Sequence, residues 1–310
     1  MSQITNNIMM IRPVAFRFNE QTAINNYYQK NQNNLSVDKI HSKTIFEFDN
    51  FVDKLRNIGV NVIVINDNNN YDTPDSIFPN NWISFHQNNS IVVYPMNAEN
   101  RRKERRKDIF KILNDKYLFN FKRIYDYSKY EKNSKFLEGT GSMVLDRVNK
   151  ICYAAISERT NKSLVKVFCK EFKYKDICFS AYQNVLGERK KIYHTNVMMC
   201  IADKFAIVCL DAVEDLSEKK KLVSSIQSTG KEIISITRKQ KNNFAGNMLQ
   251  VLGNKPHIVM SKAAYLCLTS LQKEKIQKYC PILYSDLQTI ETFGGGSARC
   301  MMAEIFLSKK

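Results

Sequence analysis

Apolar residues in this chain fall into short blocks between polar stretches, and the spacing inside the blocks varies. Ile8-Met9-Met10-Ile11, closed by Arg12-Pro13, is a continuous apolar run of strand length. Thr44 to Ile58 places Phe46, Phe48, Phe51, Val52 and Leu55 at helical spacing, and Gly59 marks its end. Val60 to Ile65 follows as a strand, Asn66 to Pro74 as a turn-rich loop, and Ser90 to Tyr94 as a further strand before Pro95. Glu20 to Gln32 is polar and reads as a polar helix or loop. Arg101 to Lys107 runs into Asp108-Ile109-Phe110-Lys111-Ile112-Leu113, which predicts a helix start with its charges on a solvated face.

One local pattern recurs: a short polar or small-residue cluster opening directly into an apolar run. It is found at Asn80-Asn81-Trp82-Ile83, at Glu138-Gly139-Thr140-Gly141-Ser142-Met143-Val144 and at His194-Thr195-Asn196-Val197-Met198. It returns at Asn243-Phe244-Ala245-Gly246-Asn247-Met248-Leu249 and at Gly294-Gly295-Gly296-Ser297-Ala298-Arg299-Cys300-Met301. Between the markers Asn81, Gly141, Asn196, Asn247 and Cys300 the steps are 60, 55, 51 and 53 residues. Such a period points to repeated supersecondary units that aim polar groups at one centre. Strand–strand–helix–strand units can be drawn around each marker, an α/β organisation.

Composition narrows the class. The 310 residues are 44% hydrophobic, enough for a large core, and no Pro-, Gly- or Ser-rich linker divides them, so residues 1–310 are expected to form one domain. Met1 to Phe16 has no leader-peptide layout, and no stretch nears the roughly 18 apolar residues of a membrane span, so a cytoplasmic protein without a membrane partner is expected. Eight cysteines stand singly with no CxxC pair, which suggests neither a metal site nor a disulfide framework. The net charge of +17 is mostly lysine scattered among asparagines. It forms no binding stripe, and specific nucleic-acid binding is not expected. Gly294-Gly295-Gly296 lacks the spacing of a dinucleotide fingerprint, and no cofactor is implied.

Cys300 beside Arg299 is the strongest chemical signal, because an adjacent cation favours the reactive thiolate. Taken in order, the motifs resemble the amidinotransferase and arginine deiminase superfamily, the penteins. Pro74-Asp75-Ser76-Ile77-Phe78-Pro79-Asn80-Asn81 stands where arginine deiminases have Pro-Asn-x-x-Phe-x-x-Asp, and dimethylarginine hydrolases share the Pro-Asp. Leu137-Glu138-Gly139-Thr140-Gly141 is similar to Leu-Glu-Gly-Gly-Asp, Glu158-Arg159-Thr160 to Glu-Arg-Thr, and His194-Thr195-Asn196 to His-x-Asp. Gly296 to Met301 resembles the terminal Gly-Gly-x-x-Cys or Arg-Cys-Met element. The Phe-Pro-Asn-Asn-Trp form most resembles the branch named for citrulline utilisation.

The resemblance implies a five-bladed α/β propeller of ββαβ units around a central site, and a single catalytic domain. It implies Cys300 as nucleophile, His194 as acid and base, and Glu138 as the carboxylate orienting His194 and holding substrate nitrogens. Asp75 would be a second carboxylate on the substrate N–H groups, and Arg101, Arg159 and Arg299 would clamp an amino acid's α-carboxylate. Asn81 and Asn196 stand where arginine deiminases have aspartates. Fewer carboxylates compensate a buried guanidinium less well, which favours a neutral ureido group such as citrulline's. Arginine deimination, amidine transfer and a non-catalytic binding role on the same scaffold are the alternatives. The implied partner is a small amino acid, and self-association is left open. Asn247 reads as a turn or cap residue, and His41, His86 and His257 as structural or surface histidines.

Overall fold

The computed structural model describes residues 2–31 and 35–310. Met1 and Gln32, the end of the polar stretch noted above, lie outside the described residues. The first apolar run forms β1 (Asn7–Arg12), with Ile8, Met9 and Met10 fully buried. A helix over Val37–Asn57 then carries the chain back to β2 (Asn61–Asn66), parallel to β1 with Met9 beside Ile63. The helix begins at Val37 rather than at Thr44, because the Ser36 hydroxyl accepts from the Lys39 N–H and caps it there. Thr44, Phe48, Phe51, Val52 and Leu55 face inward, whereas Phe46 is 69% exposed. Two residues on from Thr44 is a rotation of about 200°, which carries Phe46 off the apolar face.

The same arrangement recurs along the chain. β3 (Ile83–His86) and β4 (Ser90–Val93) pair antiparallel, and β5 (Arg123–Asp126) adds parallel to β4. β6 (Val144–Asp146) pairs with β7 (Ile151–Ala155), and a helix over Lys162–Phe172 leads to β8 (Lys175–Phe179), parallel to β7. A hairpin of β9 (Tyr182–Val185) and β10 (Glu188–Lys191) follows. β11 (Met199–Ile201), β12 (Phe205–Val208) and β13 (Glu232–Ser235) repeat the unit. So do β14 (Leu249–Leu252), β15 (Pro256–Ser261) and β16 (Ile282–Ser285). Finally β17 (Ala303–Glu304) pairs antiparallel with β1, Ile8 beside Glu304. The described residues thus form five three-stranded sheets, each central strand antiparallel to one neighbour and parallel to the other. A helical crossover is what a parallel return requires. The largest apolar cluster joins β7, β11 and β12 to Leu222 and Ile226 of the helix Leu216–Gln227.

The basic stretch differs from the expected solvated helix. A short helix over Glu99–Arg102 ends inside it, and a second starts only at Asp108. Arg101 and Glu104 are buried against each other, and Arg105 and Arg106 are tied to Glu131 and Asp108. Carboxylates spaced through and after the run fold it back onto the protein.

Each recurring unit is entered through a tight turn, and these turns carry the repeated polar motif. They are Pro79–Asn81, Gly139–Ser142, Thr195–Val197, the turn at 243–246 and the turn at 298–301, preceding β3, β6, β11, β14 and β17. The turns lie against one another. Asn80 Nδ2 donates to Thr140 Oγ1 (3.3 Å), Asn247 Nδ2 to the Asn196 carbonyl (3.1 Å) and Arg299 N–H to Asn247 Oδ1 (3.0 Å). Gly139 has φ +49°, and a Cβ there would stand 2.3 Å from the Asn80 carbonyl oxygen. Both strain and collision fall on backbone that cannot rotate away. Gly139→Ala should therefore destabilise the protein by more than ~1 kcal/mol. Urea unfolding checks this, and an unchanged midpoint would mean the turns are not packed as described.

Candidate active site

Cys300 occupies the last of these turns and is 5% exposed. Its N–H donates to the Ser297 carbonyl at 2.9 Å, which fixes the turn. Its Sγ accepts from Asn196 Nδ2 at 3.4 Å and from Asn247 Nδ2 at 3.2 Å. The Asn247 amide can face only this way, since its Oδ1 accepts from the Arg299 N–H and its Nδ2 also donates to the Asn196 carbonyl.

His194 and Glu138 come from two other turns. His194 Nε2 lies 2.8 Å from Glu138 Oε2, and Glu138 Oε1 accepts from the Asn97 N–H at 2.9 Å. Glu138 has no exposed surface. Burial opposes its ionisation, but Arg159 at 3.6 Å, the His194 hydrogen bond and Arg101 outweigh burial and pull it down to about 2. His194 moves down to about 4, chiefly through burial, with Arg159 and Arg101 adding to this and Glu138 opposing it. At neutral pH the ring is therefore neutral and Nε2 carries the proton toward the carboxylate. Nδ1 has no hydrogen-bond partner among the described residues. Beside it stands Gly141, where a Cβ would be 2.9 Å from Nδ1 and 2.4 Å from Asn81 Nδ2.

A cavity joins Cys300 and His194 to Asp75, Asn81, Arg101, Arg159, Tyr193, Asn26 and the Gly294–Gly296 segment. It holds about 10 Å³, the space of one water molecule. Asp75 Oδ2 accepts from Asn19 Nδ2 (2.8 Å) and Thr22 Oγ1 (2.9 Å), while its Oδ1 is buried without a partner. Burial pushes the Asp75 carboxyl up, against the pull of Arg101. Arg101 grips Glu104 through both Nε (2.8 Å) and Nη2 (2.9 Å), and donates through Nη1 to Asn81 Oδ1 at 2.7 Å. Arg159 donates to Asn25 Oδ1 and to the Thr22 carbonyl, and stacks over Tyr193.

Eight of the nine residues singled out from sequence meet around this cavity: Cys300, His194, Glu138, Asp75, Asn81, Arg101, Arg159 and Asn196. The exception is the Arg299 side chain. It turns away to the Met302 carbonyl (2.8 Å) and Glu304 (2.9 Å), and only its backbone N–H serves the site. The turn that presents Cys300 to the cavity sends its neighbour the other way. Asn247 is more than a cap, since it holds the sulfur. Two contributors escaped the motif reading. Glu104 was hidden in the basic run, and the polar segment from Asn19 to Gln29 backs the cavity wall: Asn26 lines it, Asn19 and Thr22 hold Asp75, and Asn26 and Gln29 donate to the Gly294 carbonyl. His41, His86 and His257 do not line this cavity. No group of three or more His, Cys, Asp or Glu able to hold a metal occurs among the described residues, nor any helix long and apolar enough to cross a membrane.

The buried pair sets the acid limit of the fold. His194 contributes stability fully above its unfolded value of 6.5, and loses it as the pH falls through about 4. Glu138 contributes fully above 4.5 and loses this as the pH falls toward about 2, a change on the order of 3 kcal/mol. Urea midpoints should therefore fall steadily below pH 6.5. In Glu138→Gln the limb below pH 4.5 should flatten, and stability at pH 7 should drop because Arg159 loses its partner. An acid limb unchanged in that variant would contradict this assignment.

Solved structures share this architecture. The apo form of ArgZ, an arginine dihydrolase from the ornithine-ammonia cycle in Cyanobacteria, superposes with a TM-score of 0.74 at 17% identity, over 96% of this chain and 40% of that one. A variant of the ArgZ N-terminal domain covalently bound to a reaction intermediate gives 0.72 at 16% identity, over 96% and 97% of the two chains. A dimethylarginine dimethylaminohydrolase variant in adduct with S-methyl-L-thiocitrulline gives 0.65 at 12% identity, over 96% and 99%. The chain thus spans about two fifths of full-length ArgZ but nearly all of its N-terminal domain, and its α/β fold of several small sheets is that of the pentein structures. No curated protein matches it in sequence. The family described as N,N dimethylarginine dimethylhydrolase, eukaryotic, matches residues 12–307, which take in every turn of the site. The chain belongs to that family.

Proposed function

We propose that the protein is a cysteine-dependent hydrolase of the C–N bond of a ureido or guanidino group on an arginine-related amino acid, with citrulline as its substrate. The observation that carries this reading is the meeting, in one buried cavity, of Cys300 under two amide donors with a neutral histidine held by an ionised glutamate. On this reading residues 1–310 are one catalytic domain, and the five sheets stand as propeller blades around that cavity.

The ureido carbon is a resonance-stabilised, poor electrophile, so a covalent route divides one hard displacement into two easier ones. The Cys300 thiolate, relieved of its proton at His194 Nδ1, adds to the carbon. The C–N bond to the terminal nitrogen breaks, and ammonia leaves with the proton from His194, giving a thiocarbamate on Cys300. Water, deprotonated by the same nitrogen, then displaces the sulfur. The carbamate released loses carbon dioxide to give ornithine. Glu138 keeps the His194 tautomer fixed throughout. Asp75 Oδ1, the buried acceptor without a partner, takes the substrate N–H groups.

Charge supports the neutral substrate. The cavity wall carries Arg101 and Arg159 against one carboxylate, Asp75, which burial holds back from ionising. Glu138 and Glu104 are already committed to Arg159 and Arg101. These pairs cancel, so Asp75 alone is left to compensate a further guanidinium, whereas a neutral ureido group needs no such compensation. Arginine or a methylated arginine is the second reading, favoured by the family match and by the arginine dihydrolase among the similar folds. The cavity is too small for either amino acid as it stands, so entry requires part of its wall to move.

Purified protein offered citrulline should release ornithine and ammonia, and Cys300→Ser should lose at least ~10³-fold in rate. Intact-mass measurement during turnover should show an adduct on Cys300. Citrulline formed from arginine, with citrulline itself unreacted, would assign the second reading. No product and no adduct from either substrate would leave a binding role on the same fold.

A further inference from the structure

A much larger cavity than that of the site lies elsewhere, with about 420 Å³ of space. Its wall is assembled from three separate elements. His86, Gln87 and Asn88 come from the end of β3 and its turn, Arg147 and Lys150 from the turn between β6 and β7, and Glu171 and Lys173 from the end of the helix Lys162–Phe172. Three cations therefore face one carboxylate, and that carboxylate already accepts the Tyr127 hydroxyl.

Arg147 is the informative member. Its side chain is 4% exposed, yet its one ion pair among the described residues is a long contact of 3.5 Å to Glu304. Glu304 is held more closely by Arg299, at 2.9 Å, so two buried arginines share one carboxylate. The rest of the Arg147 guanidinium lies over the Phe306 ring at 4.1 Å. A buried cation with half a partner is costly unless a further anion completes its shell. His86 reports the same excess. Its Nε2 bonds Ser84 Oγ at 2.8 Å, and burial together with Arg147 and Lys150 holds the ring far below the usual histidine range. Burial and Arg147 also lower Lys150.

We propose that this cavity binds a small phosphate-bearing molecule. The Arg147 fork takes two oxygens of the phosphate, and Lys150 and Lys173 add point charges around it. Three cations less one carboxylate leave a charge matching the near-double charge of a phosphate monoester at pH 7. The remaining volume admits the alcohol it esterifies. An anion here would also take Arg147 from Glu304 and leave that carboxylate to Arg299, next to Cys300 in the chain.

Calorimetric titration of the full chain with inorganic phosphate and with glycerol phosphate, at matched ionic strength, tests the site. Saturable one-to-one binding is expected, weakened at least tenfold (about 1.4 kcal/mol) in Lys150→Gln and in Lys173→Gln, and unchanged in Lys220→Gln on the helix Leu216–Gln227, which does not line the cavity. The His86 ring resonance should shift toward a higher pKa with phosphate, since an anion relieves the field of Arg147 and Lys150. No saturable heat, an equal loss in Lys220→Gln, or equal affinity for malonate would each overturn the proposal.

Discussion

The interaction on which the site depends is the burial of one full negative charge, that of Glu138, with no exposed surface at all. Such a charge persists in the interior only if donors and cations surround it. Here they are Arg159, His194 Nε2 and the Asn97 N–H, drawn from separate stretches of the chain. Satisfying the carboxylate therefore brings those stretches together, and the orientation of His194 follows from the same requirement. Arg159 in turn needs acceptors, which it finds in Asn25 and the Thr22 carbonyl, and so the polar wall is held over the cavity.

The scaffold makes this convergence repeatable. Each sheet begins with a strand entered through a tight turn, and the turns touch through side-chain amides and bare backbone. Side chains at the turn tips point to a common centre, while the strands behind them are buried and apolar. Chemistry and packing are thereby separated by a few residues. Asn81, Glu138, His194, Asn247 and Cys300 can differ in type because each sits on an equivalent turn, whereas the strands that follow are bound to the same apolar pattern.

Much of this is legible in the sequence, for physical reasons. The polar-to-apolar switch at each marker is the switch from turn to buried strand, so its recurrence locates the turns and the residues they carry. The long helix is less legible at its start, since the Ser36 cap and a polar first turn leave no apolar trace, and Phe46 misleads because it is apolar on an exposed face. Arg299 could not be placed from its neighbourhood to Cys300, because consecutive residues in a turn point in different directions. Glu104 was obscured by the arginines around it, and burial rather than local sequence sets its role. The Asn19–Gln29 wall has no periodicity to read; tertiary hydrogen bonds alone fix its path.

The pairing of β17 with β1 has a consequence in time as well as in space. Cys300 is seated by a turn whose following strand docks on residues 7–12, so the two sides of that contact are almost the whole chain apart. Closing so long a loop is slow and comes late in folding. During synthesis the sulfur and its amide donors cannot be assembled until β17 has followed β1 out of the ribosome. A nascent or truncated chain lacking β17 would hold an incomplete first sheet, with Cys300 not yet seated between Asn196 and Asn247.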